Sequence, residues 1–149
     1  MFQLIYKSVA AAIPGDGELA NILSVSRRRN RSCQVTGLLL AGGGHFLQAL
    51  EGPILAVSDT FARIEADSRH RDIELIVRRE VPIRDFGTWA MAFPEGAGGD
   101  LVEPSARLIA LLDDARLRSL FTRFVERPAG EPSEAGADRL DRMGGGSRA

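Results

Sequence analysis

The chain has 149 residues, of which 44% are hydrophobic, and its formal net charge is −1. This composition suits one folded domain with an appendage, and the near-neutral charge provides no basic field that would attract nucleic acid or an anionic membrane. Because Cys33 is the single cysteine and no run of residues is long and apolar enough to span a bilayer, we expect no disulfide, no cysteine-rich metal site and a cytoplasmic protein.

The first predicted strand and helix each place a polar side chain among apolar ones. Residues 2–8 alternate between two faces, which predicts a strand with Tyr6 on an apolar face. Apolar residues then recur at helical spacing from Leu19 onwards, and this stripe ends at Asn30. A buried tyrosine is commonly a core aromatic and an asparagine at a helix end is commonly a C-cap, so structural and functional interpretations both stay open.

A glycine-rich turn joins two further predicted strands, at residues 35–40 and 45–50. The second of these strands has Gln48 in the middle of an apolar run. Burying an amide without partners costs about 1–3 kcal/mol. We therefore expect Gln48 to meet either a protein group or the polar edge of a ligand.

The remaining elements complete a β-α-β-β-α-β order. The pattern predicts a helix at residues 55–67, a strand at 73–77 and a fifth strand at 86–93, with Trp89, Met91 and Phe93 on one side. This order is typical of an α+β, ferredoxin-like fold, a mixed five-stranded sheet with two helices on one face.

The composition changes near residues 94–99, which we interpret as a linker. Two short amphipathic helices follow, with apolar positions at 108–112 and 117–125, and their apolar faces must cover the free sheet face or another subunit. The last residues are rich in glycine, proline and charge. We therefore predict a folded domain at 1–96, a helical extension at 97–127 and a disordered tail at 128–149.

Between about residues 2 and 94, ten residues occur in an order and spacing that match a known family. They are Tyr6, Arg29, Asn30, Gln48, Arg63, Asp67, Arg69, His70, Trp89 and Met91. Together they resemble the BLUF family of flavin-based blue-light sensors, in its short, stand-alone form.

The resemblance implies a role for each of these residues. FAD would bind non-covalently, Tyr6 would donate an electron and a proton to the excited flavin, and the hydrogen bonds at Gln48 would then rearrange. The flavin-binding set would be Tyr6, Arg29, Asn30, Gln48, Arg63, Asp67, Arg69 and His70, with Trp89 and Met91 relaying the change outward. An unidentified downstream protein would receive the signal. Separately, the apolar faces of the two C-terminal helices would be a liability if exposed, so we expect a homo-oligomer.

Two other functions stay open at this point, a flavin-dependent reductase and a cofactor-free interaction module. Against an enzyme, the sequence has no phosphate-binding loop, no nucleophile elbow and no cluster of metal ligands, and Glu51 and Asp67 are carboxylates with no evident partner. The basic run at residues 27–31 is better explained as a solvated helix end than as a nucleic-acid site. We therefore expect a photosensory protein that is not itself an enzyme.

Overall fold

The computed structural model describes residues 1–12, 15–94 and 102–126, with only the backbone described for residues 102 and 103. In chain order its elements are β1 (Phe2–Ala10), α1 (Asp16–Ser32), β2 (Thr36–Gly42), β3 (His45–Gly52), α2 (Ile54–Glu65), β4 (His70–Glu80), α3 (Val102–Ile109) and α4 (Ala115–Val125). The predicted tail at 128–149 and all but the first residue of the predicted linker at 94–99 lie outside these ranges.

The sheet has the strand order β2-β3-β1-β4, and each neighbouring pair is antiparallel. This is the order expected when two β-α-β units fold with their helices on one face, so the α+β, ferredoxin-like prediction is confirmed. The prediction of a mixed sheet was wrong, because the four strands of this sheet are antiparallel to their neighbours. β1 lies at the centre and pairs with β3 on one side and β4 on the other. The side chains of β1 can therefore reach both faces of the sheet at its middle.

The two faces of the sheet are covered by different helices. We call the face under α1 and α2 the first face; its core includes Tyr6, Leu23 and Val57. The opposite, second face packs against α3 and α4, and its core includes Ile5 and Phe121. Of the two partners left open for the C-terminal helices, the chain's own sheet is therefore the one they cover.

The fifth strand is the part of the predicted fold that the structure does not show. Residues 86–93 run beside β2 and form one isolated parallel bridge, between Leu38 and Ala92. The segment begins in a turn, in which Trp89 N–H donates to the carbonyl of Phe86 and Gly87 has a φ of 53°. Bends at Ala90 and Met91 then interrupt the alternation of a strand. Trp89 packs on the second face, whereas Met91 and Phe93 pack on the first, so the prediction that all three share one side was wrong.

β2 and β3 approach each other closely at Gly37. A Cβ atom added at this glycine would lie 2.0 Å from the backbone oxygen of Ala49, so no other residue fits without moving the strands. The backbone of Gly37 also binds the 86–92 segment, donating to the carbonyl of Trp89 and accepting from Ala92 N–H. This glycine therefore positions both the hairpin and the segment beside it.

Candidate functional site

Tyr6 and Gln48 form a buried hydrogen-bonded pair at the centre of the first face. The two residues lie directly opposite each other in the antiparallel register of β1 and β3. The Tyr6 hydroxyl donates to Oε1 of Gln48, and the two side chains are 0% and 6% exposed. A protein group thus meets the amide that the sequence singled out.

The other end of the Gln48 amide has a weak partner. Its Nε2 atom donates to the sulfur of Met91 at 3.6 Å. A thioether is a poor acceptor, and a primary amide has two N–H donors, so Gln48 keeps bonding capacity for a group in the adjacent cavity. The amide can therefore change partners at low cost on its nitrogen side.

The surroundings of Tyr6 keep its hydroxyl protonated. Its ring packs against Phe61 at 5.3 Å between centroids and edge-on to His70 at 6.4 Å. Burial raises the pKa of Tyr6 far above its ordinary value, and the negative charge of Asp67 adds to the effect. Tyr6 is therefore a neutral hydrogen-bond donor in the resting protein.

A cavity of about 370 Å³ lies beside this pair, with α1 and α2 among its walls. Its volume falls in the range of about 300–1,000 Å³ that is typical of small-molecule sites. All but one of the predicted flavin-binding residues line it: Arg29, Asn30, Gln48, Arg63, Asp67, Arg69 and His70. Tyr6, the exception, is held to the cavity wall through its bond to Gln48.

Charged side chains at the cavity are held in defined pairs. Arg69 donates through Nε to both carboxylate oxygens of Asp67, at 2.9 and 3.0 Å. This pairing lowers the pKa of Asp67 to about 2, so the carboxylate is ionised at neutral pH. Burial lowers the pKa of His70, whose Nδ1 atom lies 2.9 Å from Oγ of Ser8.

The C-terminal end of α1 binds the 86–92 segment. Asn30 is buried and donates through Nδ2 to the carbonyl of Ala90 at 2.5 Å, and Arg27 donates through Nε to the carbonyl of Met91 at 2.9 Å. Asn30 thus has a role beyond a helix C-cap, because it joins the cavity wall to the segment that contacts Gln48. Trp89 does not join this group, since it packs against the core of the second face.

Several cavity residues were not predicted from the sequence, notably Glu18, Asn21 and Arg27's neighbour Ser26. Glu18, Asn21 and Arg29 lie at offsets 0, 3 and 11 along α1, which is a second helical stripe beside the apolar one. The polar side of an amphipathic helix is usually solvated, so this stripe by itself does not indicate a site, and only Arg29 of the three was predicted. Arg27 was likewise assigned to a solvated basic run, although it lies three residues before Asn30 on the same face.

The family model described as "BLUF: Sensors of blue-light using FAD" matches residues 1–92. The chain belongs to the BLUF family. BLUF domains sense blue light with FAD, so the predicted cofactor is confirmed, and the cavity with its amide, hydroxyl and guanidinium groups fits a flavin with polar edges.

Relatives of known role share the BLUF region. The "Blue light- and temperature-regulated antirepressor BluF" of Escherichia coli (strain K12) is 36% identical over 88 residues, which is 59% of this chain and 22% of that protein. The "Photoactivated adenylate cyclase subunit alpha" of Euglena gracilis is 35% identical over 88 residues, 59% of this chain and 9% of that protein. The chain thus spans about a fifth or less of these relatives, and the similarity covers the sensor domain, which is not catalytic itself.

Solved structures of BLUF proteins have the same fold. "BlrB - a BLUF protein, dark state structure" has a TM-score of 0.59 and 34% identity, covering 62% of this chain and 70% of that one. "BlrP1 BLUF" has a TM-score of 0.69 and 26% identity, covering 84% of this chain and 89% of that one.

Within the described ranges, no helix is long and apolar enough to cross a membrane.

Proposed function

We propose that this BLUF protein converts blue light into a new arrangement of hydrogen bonds at Tyr6 and Gln48 and passes the change to a downstream protein. The observation that carries the proposal is the buried chain Tyr6–Gln48–Met91 beside a cavity of about 370 Å³. When bound, the flavin supplies the absorption of blue light and accepts an electron and a proton. Every other part of the switch is a side chain of this protein.

Tyr6 is the proposed donor of that electron and proton. Its hydroxyl donates a hydrogen bond to Oε1 of Gln48 in the resting state. Once the proton leaves, Oε1 loses its hydrogen-bond donor. The amide can then form a new hydrogen bond by rotating or tautomerising, so that a different group faces Tyr6. Because the pair is buried, a hydrogen bond gained or lost there has a larger effect than one in water.

The remaining cavity residues position the cofactor. Asn30 and Gln48 offer amide groups to its polar edges, while Arg29, Arg63 and Arg69 place positive charge at the cavity, where a dinucleotide's phosphates would be attracted. Asp67 holds the Arg69 guanidinium in one orientation. We propose these roles for the side chains together with the relay role of Met91, which contacts Gln48 directly, and of Trp89 on the second face.

We further propose that the signal leaves through the C-terminal helices. The 1–96 region is the proposed sensor, 97–127 the helical extension and 128–149 the tail. α3 and α4 cover the second face of the same sheet that holds Tyr6 and Gln48, which supports a route from one face to the other. The receiver is a separate protein or a second copy of this chain; the cytoplasmic location stays a prediction.

Absorption spectra before and after blue illumination test this function. The purified protein with FAD should show a reversible red shift, whereas Tyr6→Phe and Gln48→Leu should bind FAD and show none. Phe61→Leu, which alters a packing neighbour of Tyr6 without touching the hydrogen bonds, is the matched control and should keep the shift. A normal shift in Tyr6→Phe would refute the mechanism.

The two alternatives predict different results in the same preparation. A flavin reductase would reduce its bound FAD rapidly with a nicotinamide cofactor in a stopped-flow measurement. A cofactor-free interaction module would stay colourless after incubation with FAD. Either result would replace the photoreceptor proposal.

A further inference from the structure

A buried carboxylate on the second face has no part in the cavity. Glu51 is 0% exposed and lies opposite Gln3 in the β1–β3 register, three residues along from the Tyr6–Gln48 pair. An odd offset in a strand turns the side chain to the other face. Glu51 therefore lies on the second face, three residues along β3 from Gln48 on the first face.

Glu51 binds the base of the 86–92 segment. Its Oε1 accepts from the backbone N–H of Asp85 at 2.9 Å, and its Oε2 accepts from that of Phe86 at 3.0 Å. A buried carboxylate needs such donors because desolvating it without them is costly. The segment that contacts Gln48 through Met91 is thus held at its other end by Glu51.

A chain of side-chain bonds continues from this point to α4. Gln3 donates through Nε2 to Asp85 at 2.7 Å and accepts through Oε1 from Nε of Arg79 at 2.7 Å. Arg79 then donates through Nη2 to Asp114 at 2.8 Å. We call Gln3, Glu51, Asp85, Arg79 and Asp114 the second-face polar chain.

The second-face polar chain ends at the first turn of α4. Asp114 is the N-cap of this helix, and its Oδ1 accepts from the backbone N–H groups of Arg116 and Leu117 at 2.8 and 3.3 Å. The Asp114 carboxylate therefore accepts from the helix backbone with Oδ1 and from Arg79 with Oδ2. A movement of Arg79 changes how well Asp114 caps α4.

We propose that Arg79 is the positioning residue that couples the 86–92 segment to α4, so that a change at Gln48 alters the capping of the helix by Asp114. The inference rests on the proposed function, because the change at Gln48 is its input. Arg79 suits this role because it uses two different nitrogens, Nε toward Gln3 and Nη2 toward Asp114. A lysine presents all its donors from a single nitrogen and lacks the rigid guanidinium that spans these two acceptors.

Hydrogen–deuterium exchange on the full chain with FAD tests the coupling. In the wild type, blue light should change the exchange of the Arg116 and Leu117 amides by about fivefold, which is the effect expected from one weakened N-cap. Arg79→Gln should keep the red shift of the flavin but lose this light-dependent exchange. Arg79→Lys should behave like Arg79→Gln, because charge alone does not restore the bridge.

Two further variants separate coupling from folding. Asp114→Asn keeps a good capping residue but removes the carboxylate that Arg79 binds, so the helix should stay capped in the dark and lose its response to light. Arg78→Gln is the matched control: Arg78 lies over the ring of Phe2 on the first face and should leave the response unchanged.

The outcomes distinguish the two proposals. Absence of a red shift in the wild type would refute the proposed function itself. A red shift with identical dark and lit exchange at Arg116 and Leu117, or a full response in both Arg79→Gln and Asp114→Asn, would overturn the coupling and leave the proposed function standing.

Discussion

Phe121 tests whether the C-terminal helices stabilise their own sheet. The side chain belongs to α4, is 0% exposed and packs edge-on to Phe86 with 6.0 Å between ring centroids. Replacing a fully buried phenylalanine by alanine costs about 3–5 kcal/mol, through lost apolar contact and the cavity that remains. We expect Phe121→Ala to fall in this range because both the sheet core and α4 line the site.

Urea unfolding, followed by circular dichroism at several protein concentrations, measures this loss. In a thermal melt of a chain of this size, a loss of about 3 kcal/mol corresponds to a fall in Tm of roughly 6–12 °C. Leu111→Ala is the control, since Leu111 is 64% exposed and its truncation should cost less than about 0.5 kcal/mol.

Protein concentration distinguishes cover within one chain from cover by a second copy. If α4 packs on its own sheet, the cost of Phe121→Ala is the same at every concentration. A transition midpoint that rises with concentration in the wild type but not in the variant would show that the helix packs against another subunit, and would refute the reasoning.

The remaining predictions concern the hairpin and the cavity. Gly37→Ala should destabilise the fold by about 3 kcal/mol, because the new Cβ would lie 2.0 Å from the oxygen of Ala49, whereas Gly42→Ala has open space and should be nearly neutral in the same unfolding assay. Arg69 lowers the pKa of Asp67 to about 2. Asp67 therefore contributes fully to the free energy of unfolding above the unfolded pKa of about 3.9, and this contribution is lost as the pH falls towards 2. Asp67→Asn should therefore lack the part of the acid transition between about pH 4 and 2, an effect of about 1 kcal/mol at most because Arg69 is half exposed; an identical acid transition would contradict this.

The parts of the fold that the sequence predicted are those in which local periodicity and burial agree. β1 and the β2–β3 hairpin have apolar patterns that match their faces, and the Tyr6–Gln48 pair follows once β1 and β3 are neighbours. β4 runs from His70 to Glu80, well beyond the predicted 73–77, because the charged residues of an edge strand conceal its alternation. Periodicity therefore located the strand but not its ends.

Sequence could not decide whether Trp89 or Met91 lies next to Gln48. Two residues separated by one position share a face in a regular strand, and that parity was the basis of the prediction. Bends at Ala90 and Met91 remove the parity, so Met91 faces Gln48 and Trp89 packs on the second face. Such bends depend on tertiary contacts with β2 and α1, which no local pattern contains.

The second-face polar chain was concealed for a related reason. Glu51 looked like a carboxylate without a partner because its partners come from β1 and from the backbone of Asp85 and Phe86, at distant positions in the sequence. Only the register of two antiparallel strands brings Gln3 and Glu51 together. Polar residues that pair across strands thus need the topology before they can be recognised.

The incomplete fifth strand gives a physical reason for the proposed signalling route. A full strand beside β2 would be held by a ladder of backbone bonds, whereas residues 86–92 make three to β2, between Gly37 and Trp89, Leu39 and Ala92, and Ala92 and Gly37. Segments with few backbone bonds open at lower free energy than central strands. Gln48 contacts this segment at Met91 and Glu51 holds its base, so a change on the first face can displace it without unfolding the sheet. The missing backbone pairing with β2 explains why the predicted strand is incomplete, and it also makes the segment suitable for transmitting the proposed signal.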